Sequence, residues 1–514
     1  MDVPLEKAAI VRFQNWPATV AILLLVALAA VVLSAGHRVA FPKSAPSLVS
    51  SGGYPILGMW RFFSDRRNFM HTSSRSTASG NFSFYFGKHQ IVGLAGVDGR
   101  RTFFDSKDLN MAIGYSVLFA NTPQIDENDK DENPLSFSRW FLNTLMVMMR
   151  KENFVRNLPI LVGDTQKQMA AIVAANNGQA TGVFDPFDNL YRTVYQLTMR
   201  TVGADDIAED PVLLAKTLRL FEKIDAASSP TRIVFPWLPT PGHIKRVTAG
   251  IRLYQIFNNI AEDRRKTGRR GEDALQFLLD GGESMVKILT FVLGALFAGQ
   301  LNSGINAAWF FVCLACNPEW YTRVQGEVDA SVARHRASTD QSAGDVLATL
   351  DVEHWESEFP MIDLCLRECI RLQLVGTAFR KNITDKNIPI GNTGEIIPKG
   401  AFAAYMIDDV HMNADIYPDP LRWDPGRYLP GRAEDKKMPM GYVGWGTGRH
   451  PCLGMRFAKL EMSIIAACFS ATFDYELLNA AGEKMTASPL PNRNNISASP
   501  PDDPVKLRYT LRKQ

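Results

Sequence analysis

The chain has 514 residues, 46% hydrophobic and 21% charged, and its 56 Lys and Arg against 53 Asp and Glu leave a net charge of +3. That composition excludes a disordered chain, a collagen and a disulfide-stapled miniprotein, and the near balance of charge gives no reason to expect a nucleic-acid partner. At roughly 150 residues per domain the length alone suggests about three domains.

The first element is apolar. Between Arg12 and His37 lie 24 residues without a charge, and Ala18 to Leu33 is apolar except for Thr19. At about 1.5 Å per residue such a helix crosses a hydrocarbon layer of about 30 Å. Residues 1–40 therefore read as a membrane anchor. The rival reading is a cleaved signal ending at Ser34-Ala35-Gly36, but Asp2 and Glu6 beside Lys7 and Arg12 do not make the positive start of a signal. Counting Arg61, Arg66 and Arg67 places the downstream side in the cytosol. Residues 41–58, with Pro42, Pro46, Pro55, Gly52, Gly53 and Gly58, read as a turning linker. Residues 59–514 follow as one large unit of amphipathic helices with short strand-like pieces, clearest at Phe82 to Phe86, Ile388 to Ile390 and Glu395 to Ile397. Within it, the acidic run Asp126 to Glu132 reads as a solvated loop. Ile233 to Leu238 reads either as a loop dipping into a membrane or as a packed one.

From Ile288 to Pro318 no residue is charged. Gly299, Gln300, Asn302, Ser303, Gly304 and Asn306 give this stretch a small, polar waist, which suits a helix through a large core better than a second membrane span. Cys313 and Cys316 at its apolar end read as core thiols. Glu368 and Arg371 share a face of an apolar helix by their spacing of three, and a buried pair of that kind must be hydrogen-bonded further. His411 with Asp408 and Asp409 reads as a turn. The most informative segment is Val443-Gly444-Trp445-Gly446-Thr447-Gly448-Arg449-His450-Pro451-Cys452-Leu453-Gly454. Its glycines allow a tight loop whose amides face the sulfur of Cys452, and Met455 to Cys468 reads as the following helix. A thiolate at a helix start has a lowered pKa and suits a metal. A dinucleotide loop would need Gly where Pro451 stands.

This segment resembles the haem-binding loop of the cytochrome P450 family, with Trp445 in the place of the usual Phe. Glu368-x-x-Arg371 resembles the family's Glu-x-x-Arg pair, and Trp423-Asp424-Pro425-Gly426-Arg427-Tyr428 the segment that supplies its third member, Arg427. The resemblance implies a mainly α fold with small β-sheets, preceded by an N-terminal transmembrane helix, and haem b with Cys452 as axial thiolate. His450 and Arg380 then match propionate partners, Trp445 lies near the thiolate, Gly299 allows close approach on the distal side, and Glu368, Arg371 and Arg427 are structural.

Ala298-Gly299-Gln300-Leu301-Asn302-Ser303 stands where the family carries Ala-Gly-x-acid-Thr-Thr. Leu301 replaces the acid and Asn302 the threonine, so the expectation is that Gln300, Asn302 or Ser303 holds a water that delivers protons. The implied activity is a monooxygenase placing one oxygen atom in a lipophilic specialised (secondary) metabolite. Electrons come from NADPH through a separate NADPH–cytochrome P450 reductase, attracted by Arg449, Arg456 and Lys459. The implied location is the endoplasmic reticulum membrane, single-pass, with the catalytic part cytosolic. Leu301 and Asn302 also leave open a haem-thiolate isomerase, dehydratase or rearrangement enzyme without net oxygen use. Gly448-Arg449-His450, Ala298-Gly299-Gln300 and Val234 to Pro239 resemble the branch containing fungal sterol 14-alpha-demethylases, although Leu301 and Asn302 depart from it.

Overall fold

A computed structural model of the chain describes residues 18, 20–23, 25–26, 38–118, 134–226, 230–236, 238 and 240–512. The expected anchor lies largely outside the described residues, and so does the acidic run 126–132. Within residues 1–40, 20–23 and 25–26 are helical, with Val20, Ile22, Leu23, Leu25 and Val26 exposed.

The architecture is mainly helical with small sheets. Strands β1 (Phe82–Phe86), β2 (His89–Leu94), β3 (Leu109–Asn110), β5 (Thr377–Asn382) and β8 (Phe402–Met406) form one sheet in the order β1-β2-β8-β5-β3. β4 (Thr181–Phe184), β10 (Lys506–Leu511) and β9 (Phe473–Leu478) form a second, and β6 (Ile388–Pro389) pairs with β7 (Ile396–Ile397). The three strand-like pieces of the sequence thus supply β1 and the β6–β7 pair. β2 runs parallel to β8 with Ile91 opposite Phe402, and β5 runs antiparallel to β8 with Arg380 opposite Ala403. β8 is buried at every position, so its sequence lacks the alternation that marks a half-exposed strand.

The segment expected as a linker is docked. Val49 donates its amide to Ser83 O at 2.8 Å and Met59 to Tyr85 O at 2.7 Å, so both ends of 48–59 are pinned to β1, with a turn between Tyr54 and Gly58. Gly58 sits at φ +72°, where a Cβ would fall 2.2 Å from Tyr85 O. Glycine is required there.

Ten helices matter for the site: α1 (Met111–Leu118), α2 (Lys151–Ala175), α3 (Pro186–Val202), α4 (Pro211–Ala226), α5 (Pro241–Thr267), α6 (Met285–Ala315), α7 (Pro318–His335), α8 (Val352–Ser357), α9 (Pro360–Gln373) and α10 (Met455–Thr472). α6 starts on Ser284, whose hydroxyl accepts from the Lys287 amide, and is apolar on all sides. Among the described residues it is the one helix long and apolar enough to cross a membrane. Its flanks are instead packed into the core by α3, α9 and α10. Gly304 permits this, because a Cβ there would fall 2.5 Å from the Tyr191 ring of α3. Cys313, Cys365, Cys369 and Cys468 are buried in the same core, and Cys316 packs at its margin. Pro230–Val234 forms a short helix with Ile233 buried and Leu238 exposed, while Trp237 lies outside the described residues.

α10 carries one charge-bearing side chain deep inside. Glu461 is 1% exposed, its partner is the Thr198 hydroxyl at 3.5 Å, and burial pushes its carboxyl up to about 8 from an ordinary 4.5. The folded chain holds this proton after the unfolded chain has released it, so the stabilisation is complete below the unfolded value and disappears as pH rises through the folded one. Glu461→Gln removes that dependence. Urea unfolding between pH 4.5 and 8 should show wild type losing stability relative to the variant, by roughly 4 kcal/mol at about 1.36 kcal/mol per pH unit.

Candidate active site

The site is built around a charge that no water reaches. α9 turns Glu368 and Arg371 to the same inner face, both without exposure. Glu368 accepts from Arg371 Nε and Nη2 at 2.8 Å each, Arg427 Nε at 3.2 Å, the Tyr428 hydroxyl at 2.8 Å and the Asp424 amide at 3.1 Å. Arg427 also donates to Pro418 O, Asp419 O and Glu434. The structure therefore brings Glu368, Arg371 and Arg427 together as one satisfied cluster, the condition under which buried charges are tolerated.

The cluster reaches the cysteine loop through one histidine. Arg371 Nη1 donates to His411 O at 2.7 Å, and His411 Nε2 accepts the Val443 amide at 3.0 Å. Burial, then the Arg371 and Arg493 cations, push His411 far below the imidazole range, so its ring is neutral and Nε2 is free to accept. Local sequence marks His411 only as part of a turn. Its loop-holding contact joins residues 32 positions apart and has no local signature.

Beyond Val443 the loop closes on itself. Gly446 donates to Val443 O at 3.0 Å and Cys452 to Trp445 O at 2.7 Å, while Arg449 donates to Phe104 O at 3.1 Å. Gly446 and Gly448 both have positive φ, and a Cβ on either would fall 2.4–2.5 Å from a carbonyl oxygen, His450 O or Phe104 O. Trp445 is half-buried, and of the six cysteines Cys452 is the exposed one. The expected lowering of its pKa does not appear. The surrounding protein mass raises the thiol, and the Gly454 amide provides the one opposing pull.

Arg380 projects from β5 with 3% exposure. Its Nη1 donates to Phe379 O at 2.8 Å, Tyr115 of α1 bonds to its side chain, and its buried Nε has no partner among the described residues. His450 is lowered by burial and then by the Arg380 and Arg449 cations. Arg380 and Arg449 thus make the corner around His450 cationic and suited to an anion. Tyr115 belongs to this corner without any local sequence signal, since its partner is more than 260 residues away in the chain.

Between Ile288 and Leu314 of α6, Ala298 and Asn302 are the exposed residues, one turn apart on the same face. Asn302 Nδ2 donates to Ala298 O at 3.1 Å and Asn306 Nδ2 to Asn302 O at 2.8 Å. Ser303 is half-buried beside them. Gln300 is separated from this group: it is fully buried and donates to Tyr191 O of α3 at 2.8 Å. Leu301 packs in the apolar cluster of α3, α4 and α6. A Cβ on Gly299 would meet Thr198 Cγ2 at 4.0 Å and nothing nearer, so packing within the chain does not demand glycine there. Of the three cations near the cysteine loop, Arg456 pairs with Glu356 and Lys459 with Asp363, whereas Arg449 has no ion pair among the described residues.

The family model for cytochrome P450 matches residues 50–498. A cytochrome P450 monooxygenase of Aspergillus aculeatus, AacuE, is 32% identical over 483 residues, 92% of this chain and 93% of that one. A cytochrome P450 monooxygenase of Aspergillus novofumigatus, nsrP, is 32% identical over 84% of this chain and 83% of its own. The obtusifoliol 14-alpha demethylase of Sorghum bicolor is 31% identical over 51% of this chain and 52% of its own.

Arg371→Ala leaves the Glu368 carboxylate buried without its bidentate partner. Chemical denaturation should show a loss of about 3–5 kcal/mol, against less than about 1 kcal/mol for Arg192→Ala, whose pair with Asp188 is solvent-exposed.

Proposed function

Since the chain belongs to the cytochrome P450 family and is a cytochrome P450 monooxygenase, we propose that it places one oxygen atom in a lipophilic specialised metabolite while anchored to a membrane. Members of the family use haem with a cysteine thiolate as axial ligand. The observation that carries the assignment is that Cys452 is the exposed cysteine, held in a glycine-rich loop hung from the buried Glu368 cluster. Cys369 is unsuited to the role: it is fully buried and accepts the Trp423 indole N–H at 3.3 Å.

The residues present fit haem b. Arg380 has an unpartnered buried Nε, and with Tyr115 and His450 it can hold the propionates. Trp445 lies at the base of the thiolate loop, and Gly299 leaves open space where α6 passes. When bound, haem supplies oxygen activation, favoured by electron donation from the thiolate. Asn302 faces the open side of α6 with Nδ2 committed to Ala298 O, which leaves its Oδ1 to accept from a water. Ser303 is the neighbouring hydroxyl that can pass a proton on. Gln300 is left out of this set because its amide serves α3.

A membrane position is supported by the exposed apolar helical residues 20–23 and 25–26 and by Leu238, Ile244, Val247 and Ile251, exposed beside Lys245 and Arg252. The cations after the anchor support a catalytic part on the cytosolic side. NADPH–cytochrome P450 reductase is the electron donor, and Arg449 is the cation free to meet its acidic surface. The names of the Aspergillus relatives support oxygenation. Leu301 favours a second reading, rearrangement without net oxygen use, because a packed leucine can relay no proton.

Incubation with substrate, NADPH, a fungal reductase and isotopically labelled dioxygen should place one labelled oxygen in the product. Product formed without oxygen and NADPH selects the second reading. Asn302→Ala with Ser303→Ala should lower product formed per NADPH consumed by roughly tenfold or more. Unchanged coupling removes both residues from proton delivery.

A further inference from the structure

The last turn of α7 and the short helix α8 bring two imidazoles and a carboxylate together on the side of the molecule that holds the cysteine-loop helix. His335 closes α7, His354 lies within α8, and Glu358 follows at its end. One nitrogen from each histidine and one oxygen of Glu358 lie within 4.8 Å of one another, and the two rings stand 4.5 Å apart at 70°.

Glu358 and His354 are each oriented by a partner outside the trio. Glu358 Oε2 accepts from the Ser331 hydroxyl at 2.7 Å and pairs with Arg334 at 3.0 Å, which turns Oε1 to His335 Nε2 at 2.8 Å. His354 Nδ1 lies 2.8 Å from Asp351 Oδ1, nearer than the 3.4 Å to the Asp351 amide, and donating to that carboxylate leaves the lone pair for a metal on Nε2. A carboxylate behind a histidine fixes its tautomer and raises its basicity, the arrangement found behind metal-ligating histidines. The side chains of His335, His354 and Glu358 are 21%, 40% and 10% exposed, so an ion can enter from solvent while the carboxylate stays sheltered.

We infer that His335, His354 and Glu358 form a binding site for a zinc-class divalent cation, with a water or external ligand in the fourth position. Two imidazoles and one carboxylate are the borderline donor set of zinc, whereas magnesium and calcium select all-oxygen sites. Zinc–donor bonds of about 2.0–2.2 Å set tetrahedral ligand atoms about 3.3–3.6 Å apart, so His335 Nε2 and Glu358 Oε1 must open slightly from 2.8 Å while the His354 nitrogen closes in, a change open to partly exposed side chains on a helix end and a short helix. The ion would pin the end of α7 to α8 and close the excursion 336–353. α8 also carries Glu356, which pairs through both oxygens with Arg456 of α10, the helix that follows Cys452. The clip thus braces the element against which the cysteine loop's helix rests.

The test uses the full haem-loaded chain, stripped with a chelator and titrated with zinc by calorimetry, beside His335→Gln/His354→Gln and the single His354→Gln. The expected result is one zinc per chain, affinity lower by at least about tenfold in both variants, and zinc-dependent thermal stabilisation in wild type alone. X-ray absorption at the zinc edge should give a shell of nitrogen and oxygen. The haem spectrum of each variant establishes that it is folded. The inference is overturned by no saturable binding to wild type, by undiminished affinity in a folded variant, or by a sulfur shell at about 2.3 Å.

Discussion

A carboxylate without exposure must be surrounded by donors or lose its charge, and Glu368 is surrounded on both oxygens. Much of the chain downstream of α9 is held in place to satisfy it. Arg427, Tyr428 and the Asp424 amide come from a 3-10 turn and its start, some 60 residues downstream, and the remaining guanidinium donors fasten carbonyls at 411, 418 and 419. Through His411 the same cluster grips the first residue of the cysteine loop. The position of Cys452 is in this sense a consequence of a buried charge.

The second constraint is the burial of α6. A helix apolar on all sides can be stable in water only within a core, and α3, α9 and α10 provide one. Such a helix exposes a residue only where the core stops, and between Ile288 and Leu314 it stops at Ala298 and Asn302. The family's acid is absent from this chain, and Leu301 turns into apolar packing; the polar groups on the open side are amides and one hydroxyl. Under the proposed function, proton handling would fall to what Asn302 and Ser303 can hold in place.

The fold is legible in the sequence where local pattern and tertiary role agree. The uncharged run marks the central helix, the glycines with Cys452 mark the loop, and the spacing of Glu368 and Arg371 marks a shared face. Three kinds of feature escape. β8 is uniformly buried and shows no alternation. The segment after residue 40 looks like a connector by its Pro and Gly content, yet its backbone groups are used by β1. Gln300, His411 and Tyr115 take their roles from partners on distant elements, Tyr191, Val443 and Arg380, and no sequence spacing encodes those contacts. The thiol pKa of Cys452 escapes for a related reason: the loop amides are legible, whereas the protein mass around the sulfur is not.

The central claim is that the sulfur of Cys452 binds the haem iron. The most direct measurement is the Soret band of the reduced carbon monoxide complex, recorded for wild type, Cys452→Ala and Cys369→Ala. The red-shifted thiolate band is expected in wild type and in Cys369→Ala, and its loss in Cys452→Ala. A retained band in Cys452→Ala, or a band lost in a folded Cys369→Ala, would contradict the claim.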